Sequence, residues 1–361
     1  MTKKFILHAG FHKTGTTALQ HSLFDKKDAL FSKGVTYPSL DQHSAAWGLN
    51  KAMWGWGDRG GKRFSDLEWG RFVKKANSNT ETFLGSSEFF CESSYEKIER
   101  IKKDIRAEQY QIIFTMRPLA SIFVSQYQQY LKYGLKLTYE EWLHEMLDDP
   151  GKSKYNPTFW KRNRQDEVLA NWAKVFGTEN ITVVIADEKN PNLLYENFSR
   201  AIGLAPDFLE PSETGRNRSL TTSESELLRQ INIKFPKERS WQDYRLFIRA
   251  GAVKAITDSP FPEDGEKPMT PRWAIDRITE ITNQQVAAIR AAKYNVLGDL
   301  DNLLQVKLKE GTNEIPTTLP IDSAATALLV FDLEILSRIK IRYLIKEVVR
   351  RATERLKRGV K

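Results

Sequence analysis

At 361 residues the chain has room for one large α/β domain with an appendage, or for two modest domains. Hydrophobic residues make up 40% of it, enough for a true core, and the one cysteine, Cys91, excludes a disulfide framework or a multi-cysteine zinc site. The net charge of +9 is unevenly placed: Leu336 to Lys361 holds ten Lys or Arg against two Glu, leaving a near-neutral body of 45 basic and 44 acidic side chains.

In chain order, Phe5–Ala9 reads as a strand, followed by a glycine-containing turn and a helix from Thr16 to Phe24. Strand, turn and helix in that order open a βαβ unit. Thr82–Ser86 is a second strand, ahead of a polar turn and a charged helix from Tyr95 to Arg106. Gln111–Met116 is a third, followed by an aromatic-rich helix from Pro118 to Tyr133. Proline suits a first helical position, where its missing N–H would be unpaired anyway. A helix over Glu167–Phe176, stopped by Gly177, leads to a fourth strand at Ile181–Ala186. Thr222–Lys234 and Pro271–Ala292 are helical by period, and residues 307–319 read as a linker, which sets a boundary near Gln305. Domain one is then 1–305, and 306–361 is linker plus tail.

The opening residues lack the long apolar stretch and small-residue cleavage site of a secretory signal. No apolar run approaches the ~20 residues of a membrane span. A single thiol fits a reducing compartment, so a cytoplasmic location is expected.

The sharpest chemical signal is His8-Ala-Gly-Phe-His-Lys13-Thr-Gly15-Thr16-Thr17, between the first strand and its helix. Glycines let successive N–H groups converge on an anion, the helix adds its positive N-terminal end, and a lysine adds a mobile full charge. Each charge-assisted hydrogen bond of this kind is worth roughly 1.5–3 kcal/mol. A kinase or ATPase loop using Mg-ATP would place its lysine after the last glycine; here Lys13 precedes Gly15. That alternative reading is therefore disfavoured.

Lys13-Thr14-Gly15-Thr16-Thr17 resembles the 5′-phosphosulfate loop of sulfotransferases that use 3′-phosphoadenosine-5′-phosphosulfate (PAPS). Arg117, at the end of the third strand, and Ser125, eight residues on, are similar to the family's 3′-phosphate pair. Gly85-Ser86-Ser87-Glu88 resembles the turn of bacterial and carbohydrate sulfotransferases whose Glu is the catalytic base. The looser likeness runs from Lys4 to about Leu304 and takes in Leu19-Gln20, Tyr37-Pro38, Trp172-Ala173 with Phe176-Gly177, and Asn217-Arg218-Ser219. The resemblance implies a three-layer α/β fold with a mostly parallel sheet, related to P-loop nucleoside kinases, with PAPS as donor and 3′,5′-ADP as product.

In sulfuryl transfer a nucleophile attacks sulfur in line while the bridging oxygen leaves on a phosphate. An ammonium beside that oxygen stabilises the transition state more than the ground state, a role expected of Lys13, with Thr14, Gly15, Thr16 and Thr17 holding the 5′-phosphate. A sulfuryl group carries less charge than a terminal phosphoryl, so no metal is expected. Glu88 is the first choice of base and His43 the alternative; a positioned base contributes ~10²–10⁴-fold. His12, beside Lys13, is a candidate donor to a sulfate oxygen. The family completes the 3′-phosphate site with a later glycine- and basic-rich loop, of which there is no clean copy. Gly215-Arg216-Asn217-Arg218 and Arg249-Ala250-Gly251 both fit in outline, and Arg216 is the expected contact.

Between the first two strands, Trp47, Trp54 and Trp56 lie among five glycines. Two readings are open: Trp54 and Trp56 line a sugar-binding acceptor cleft, or the tryptophans staple a loop to the core. In the tail, apolar residues from Ile341 to Leu356 recur on one helical face opposite Arg342, Lys346 and Arg350. A basic amphipathic helix of this kind docks on protein or a second subunit, lies on the inner membrane face, or grips an acidic polymer. Nucleic acid is not expected, because the body has no basic surplus. The expected acceptor is a glycan or glycolipid hydroxyl or amine.

Overall fold

The computed structural model describes residues 2–40, 42–53, 62–78, 80–149, 153, 158–211, 218–262, 265–305 and 307–328, with Ile345, Val348, Val349 and Thr353 of the tail. The chain gathers into two compact units. The first is Met1–Tyr127, Leu137–Arg216 and Pro268–Asn313; the second is Gln128–Lys136, Asn217–Lys267 and Glu314–Lys361. Gln305 falls inside the last segment of the first unit.

The first unit is built on a six-stranded sheet. In chain order its strands are β1 (Lys4–Gly10), β2 (Val35–Thr36), β5 (Thr82–Ser86), β6 (Gln109–Met116), β7 (Ile181–Ile185) and β8 (Asn295–Leu297). A separate hairpin pairs β3 (Ala52–Met53) with β4 (Lys62–Arg63). The sheet order is β2-β5-β1-β6-β7-β8 and every pairing in it is parallel. Central parallel strands are buried on both faces, which explains the near-continuous apolar runs of β1 and β7. Phe5, Leu7 and Ala9 of β1 join one core layer, with Trp69, Ile98, Trp172 and Ile289 of the covering helices. Ile6 faces the other layer, with Leu19, Leu23, Leu194 and Phe198. A sheet between two helical layers is the three-layer α/β fold the sequence implies.

Some elements differ from expectation. β2 and β8 have only two and three residues, too few to show a period. The tryptophan-glycine stretch does not begin as a loop: His43–Asn50 is a helix, and His43 is its first residue. Gly48 permits that helix to approach the helix Leu67–Ala76, since a Cβ there would stand 2.7 Å from the Trp69 backbone nitrogen. Trp47 packs on Phe64 and Phe89, with ring centroids 5.2 and 5.0 Å away. Trp54 and Trp56 lie outside the described residues, as does Arg216.

In the second unit the helix Thr222–Lys234 starts at a capping box in which Thr221 and Glu224 exchange side-chain and backbone bonds. Gln128 and Leu220 exchange bonds of 2.7 and 3.1 Å, and Asn232 donates to the carbonyls of Leu131 and Leu135. A π-helical stretch, Tyr244–Val253, follows, kinked at Gly251. Of the expected basic amphipathic tail helix, only Ile345, Val348, Val349 and Thr353 are described, all in helical conformation.

Candidate active site

Parallel strands put their carboxyl ends on one edge. In an open α/β sheet, ligands settle there where the chain reverses its direction of growth across the sheet. That point is β1: the chain proceeds from β1 to β2 and β5 on one side, then crosses to β6 on the other.

β1 runs through the turn 11–15 into the helix α1 (Thr16–Asp25). Lys13 and Gly15 both adopt left-handed backbone, with φ of 63° and 93°. Left-handed residues in a turn point successive amides to one side and form an anion-binding nest. The first intrahelical bond runs from Leu19 N–H to Gly15 carbonyl, so the amides of Thr16, Thr17 and Ala18 stand at the positive end of α1 ahead of the ladder. Gly15, at the helix start, makes no side-chain cap bond. Two of the threonines brace the loop itself. Thr14 and Thr16 are buried, and their hydroxyls donate to the Phe11 carbonyl at 2.6 and 3.0 Å. Thr17 is exposed. The loop thus presents amides, the Thr17 hydroxyl and the half-buried Lys13.

Glu88 flanks the loop on the β5 side. Ser87 N–H donates to the His8 carbonyl at 3.0 Å, which ties the end of β5 to β1. A Cβ on Gly10 would stand 3.2 Å from both Glu88 Cα and its carbonyl oxygen, and Gly10 has φ 121°, so this crossing requires glycine. The Glu88 carboxylate is 14% exposed. Its Oε2 lies 3.5 Å from Gln20 Nε2 and 3.7 Å from His43 Nδ1. His43 Nδ1 also lies 2.9 Å from Ser87 Oγ. Both bases considered from sequence therefore meet at one place.

Arg117 flanks the loop on the β6 side, just beyond Thr115. Phe11 N–H donates to the Thr115 carbonyl at 2.9 Å, and the Thr115 and Thr14 hydroxyls are 2.7 Å apart. Arg117 Nη2 donates to the Ser121 carbonyl at 2.6 Å, while its buried Nε has no partner among the described residues. Burial pushes the guanidinium pKa down, partly opposed by the Glu188 carboxylate. Ser125 is half-buried on the helix Leu119–Leu131, one turn beyond Ser121 and on the same face. A buried, unneutralised guanidinium nitrogen fits a phosphate oxygen.

His12 is placed elsewhere. It is buried, and its Nε2 lies 2.9 Å from Glu92 Oε1, which also accepts from Arg162 Nε at 2.8 Å. Burial and the Arg162 charge lower the His12 pKa despite the hydrogen bond and charge of Glu92. Burial alone would raise the Glu92 carboxyl, but Arg162 and His12 outweigh it and hold it low. A neutral imidazole facing a carboxylate carries its proton on that nitrogen, so His12 Nε2–H is committed to Glu92. His8 is wholly buried between Ser86 Oγ and Thr115 Oγ1, at 2.9 and 3.2 Å. Burial pushes it down to about 4, with Glu88 a smaller opposing influence. It is a neutral strut joining β5 to β6 across β1.

Gln20, Thr115, Glu92 and Arg162 are the site's further members. Gln20 falls within the family likeness with Leu19, but the sequence gives it no role; it is a polar residue on the buried face of α1. Glu92 and Arg162 are 70 residues apart, with no local pattern to link them. Among the described residues no three His, Cys, Asp or Glu side chains are placed to hold a metal ion. No described helix is long and apolar enough to cross a membrane.

No protein-family model matches the chain. No curated protein matches it in sequence. Among solved structures, it is similar to a sulfotransferase from Alicyclobacillus acidocaldarius at 14% identity and a TM-score of 0.41, over 68% of this chain and 99% of that one. A likeness that distant carries no functional argument; the strand-end geometry has to stand by itself.

Proposed function

We propose that the chain is a PAPS-dependent sulfotransferase acting on a hydroxyl or amine of a glycan or glycolipid. One observation carries the reading. The adjacent ends of β5, β1 and β6 put a carboxylate–histidine pair, an amide-lined loop with a lysine, and a buried arginine side by side. PAPS supplies a sulfuryl group on a phosphate leaving group. The amides of the loop and α1, with Thr17, hold the 5′-phosphate, and Arg117 with Ser125 holds the 3′-phosphate. Lys13 sets its positive charge where negative charge develops, an effect strongest at the transition state. Glu88 takes the acceptor's proton, and His43 with Gln20 orients its carboxylate. His12 keeps the turn after Glu88 in place through Glu92. The basic tail is proposed to meet protein or the inner membrane face.

Calorimetry of 3′,5′-ADP against ADP tests the reading directly. The expected result is tight binding of 3′,5′-ADP, weaker binding of ADP, and loss of the difference in Arg117→Ala. A chain that binds both alike, or a Lys13→Ala variant that transfers radiolabel from PAPS as well as the wild type, rules it out.

A further inference from the structure

We infer that Gln42 is a positioning residue of the proposed active site: it fastens the end of β5, which leads into Glu88, to the helix that begins at His43. As a statement about catalysis this rests on the sulfotransfer reading. As a placement of two side chains it stands on its own contacts.

The need for such a residue comes from the sheet. β2 ends at Thr36, opposite Phe83, so the outer edge of β5 runs on from Leu84 to Ser86 with no neighbouring strand among the described residues. Successive peptide groups of a strand point to opposite sides. Ser87 N–H points inward, to the His8 carbonyl, and Ser86 N–H therefore points outward. Ser86 is wholly buried, and a buried N–H without a partner costs about as much as a lost hydrogen bond. The Gln42 side chain meets it: Oε1 accepts from Ser86 N–H at 3.1 Å, while Nε2 donates to the Ser39 carbonyl at 2.9 Å. A side-chain amide thus continues the ladder where the strand stops.

The backbone of Gln42 makes the other half of the link. It occupies the cap position of the helix His43–Asn50, its carbonyl accepting from Ala45 N–H at 3.1 Å, and His43 is the next residue. Glu88 follows closely on Ser86 at the strand end. One residue thereby ties the start of the helix to the end of the strand, and with them the 3.7 Å from His43 Nδ1 to Glu88 Oε2. Ser87 Oγ lies within the same span, 2.9 Å from His43 Nδ1 and accepting from Phe89 N–H at 3.3 Å. Gln20 holds Ser86 from the α1 side, its Nε2 3.4 Å from the Ser86 carbonyl. Gln42 itself is 3% exposed, whereas the His43 and Glu88 side chains are open to 25% and 14%. Sealed from solvent, it acts through that pair and not on a substrate.

The test is a double-mutant cycle on the full chain, read by initial rates with radiolabelled PAPS and a chitosan tetrasaccharide, by calorimetry of 3′,5′-ADP, and by NMR of the His43 ring. Gln42→Leu is expected to lower kcat roughly five- to tenfold, the worth of one hydrogen bond, with KM for PAPS and 3′,5′-ADP affinity unmoved. The loss disappears in a His43→Asn background, because residues that act through one interaction are not additive. Glu88→Gln shifts the His43 ring signals in the wild type and leaves them nearly unchanged in Gln42→Leu. Gln42→Asn, which keeps the amide but draws it back by a methylene, follows the same pattern and carries the test if the leucine variant does not fold. An equal loss in both backgrounds, a fall in 3′,5′-ADP affinity along with the rate, or His43 signals that respond fully to Glu88→Gln without Gln42 overturns the proposal. If the wild type ignores 3′,5′-ADP, the sulfotransfer reading fails; there, or where the tetrasaccharide takes no label, the ring signals alone decide the placement.

Discussion

Two histidine–glutamate pairs sit within a few residues of one another: His43 with Glu88, and His12 with Glu92. The first is loose, at 3.7 Å, with the His43 and Glu88 side chains 25% and 14% exposed. The second is tight, at 2.9 Å, and buried, with Arg162 completing it. The same residue types are thus turned to different ends by burial and by a third partner. The open carboxylate keeps a route to solvent and to an incoming acceptor, while the closed one has its Oε1 shared by two donors and its charge matched by Arg162.

The sharpest break of this contrast is at the open pair. Glu88→Gln is expected to lower turnover by about 10²–10⁴-fold with the melting temperature unchanged. If Glu88→Gln stays active while His43→Asn is the variant that fails, the histidine is the base. At the closed pair the effect moves from rate to stability. Arg162→Met strands the Glu92 carboxylate in the core and costs about 3–5 kcal/mol in urea unfolding; adding Glu92→Met restores much of it.

Acid sharpens the contrast next. His8 is held neutral by burial, down to about 4, and His12 is also lowered. Between the folded value and the ordinary 6.5, the unfolded chain binds a proton that the folded one refuses, so stability rises with pH across that window. Urea midpoints should therefore fall as pH drops below 6.5, by an amount on the order of 3 kcal/mol from His8 alone. His8→Asn should flatten the profile. Smallest of the four is Ser87→Ala, which removes the 2.9 Å contact of Ser87 Oγ with His43 Nδ1. It should cost about 1 kcal/mol of orientation, seen as a several-fold fall in kcat with KM unmoved.

Much of this is legible in the sequence. The strand–turn–helix at β1, the lysine ahead of Gly15, the arginine at the end of β6, and the periodic helix Thr222–Lys234 all announce themselves locally. What misled was composition without period. The glycines and tryptophans after residue 44 read as loop, yet His43–Asn50 is helical because Gly48 is spent on helix packing. His12 beside Lys13 read as a ligand donor, although Glu92 and Arg162 claim it from far along the chain.

The chain by itself determined which stretches curl, cap and extend, because those choices are made by residues within a turn or two of one another. The tertiary structure alone decided that β5 and β6 flank β1, and that Glu88 meets His43 while Glu92 is sealed under Arg162. Such pairings depend on which distant surfaces exclude water together, and burial then sets whether a charge is free to act or must be matched.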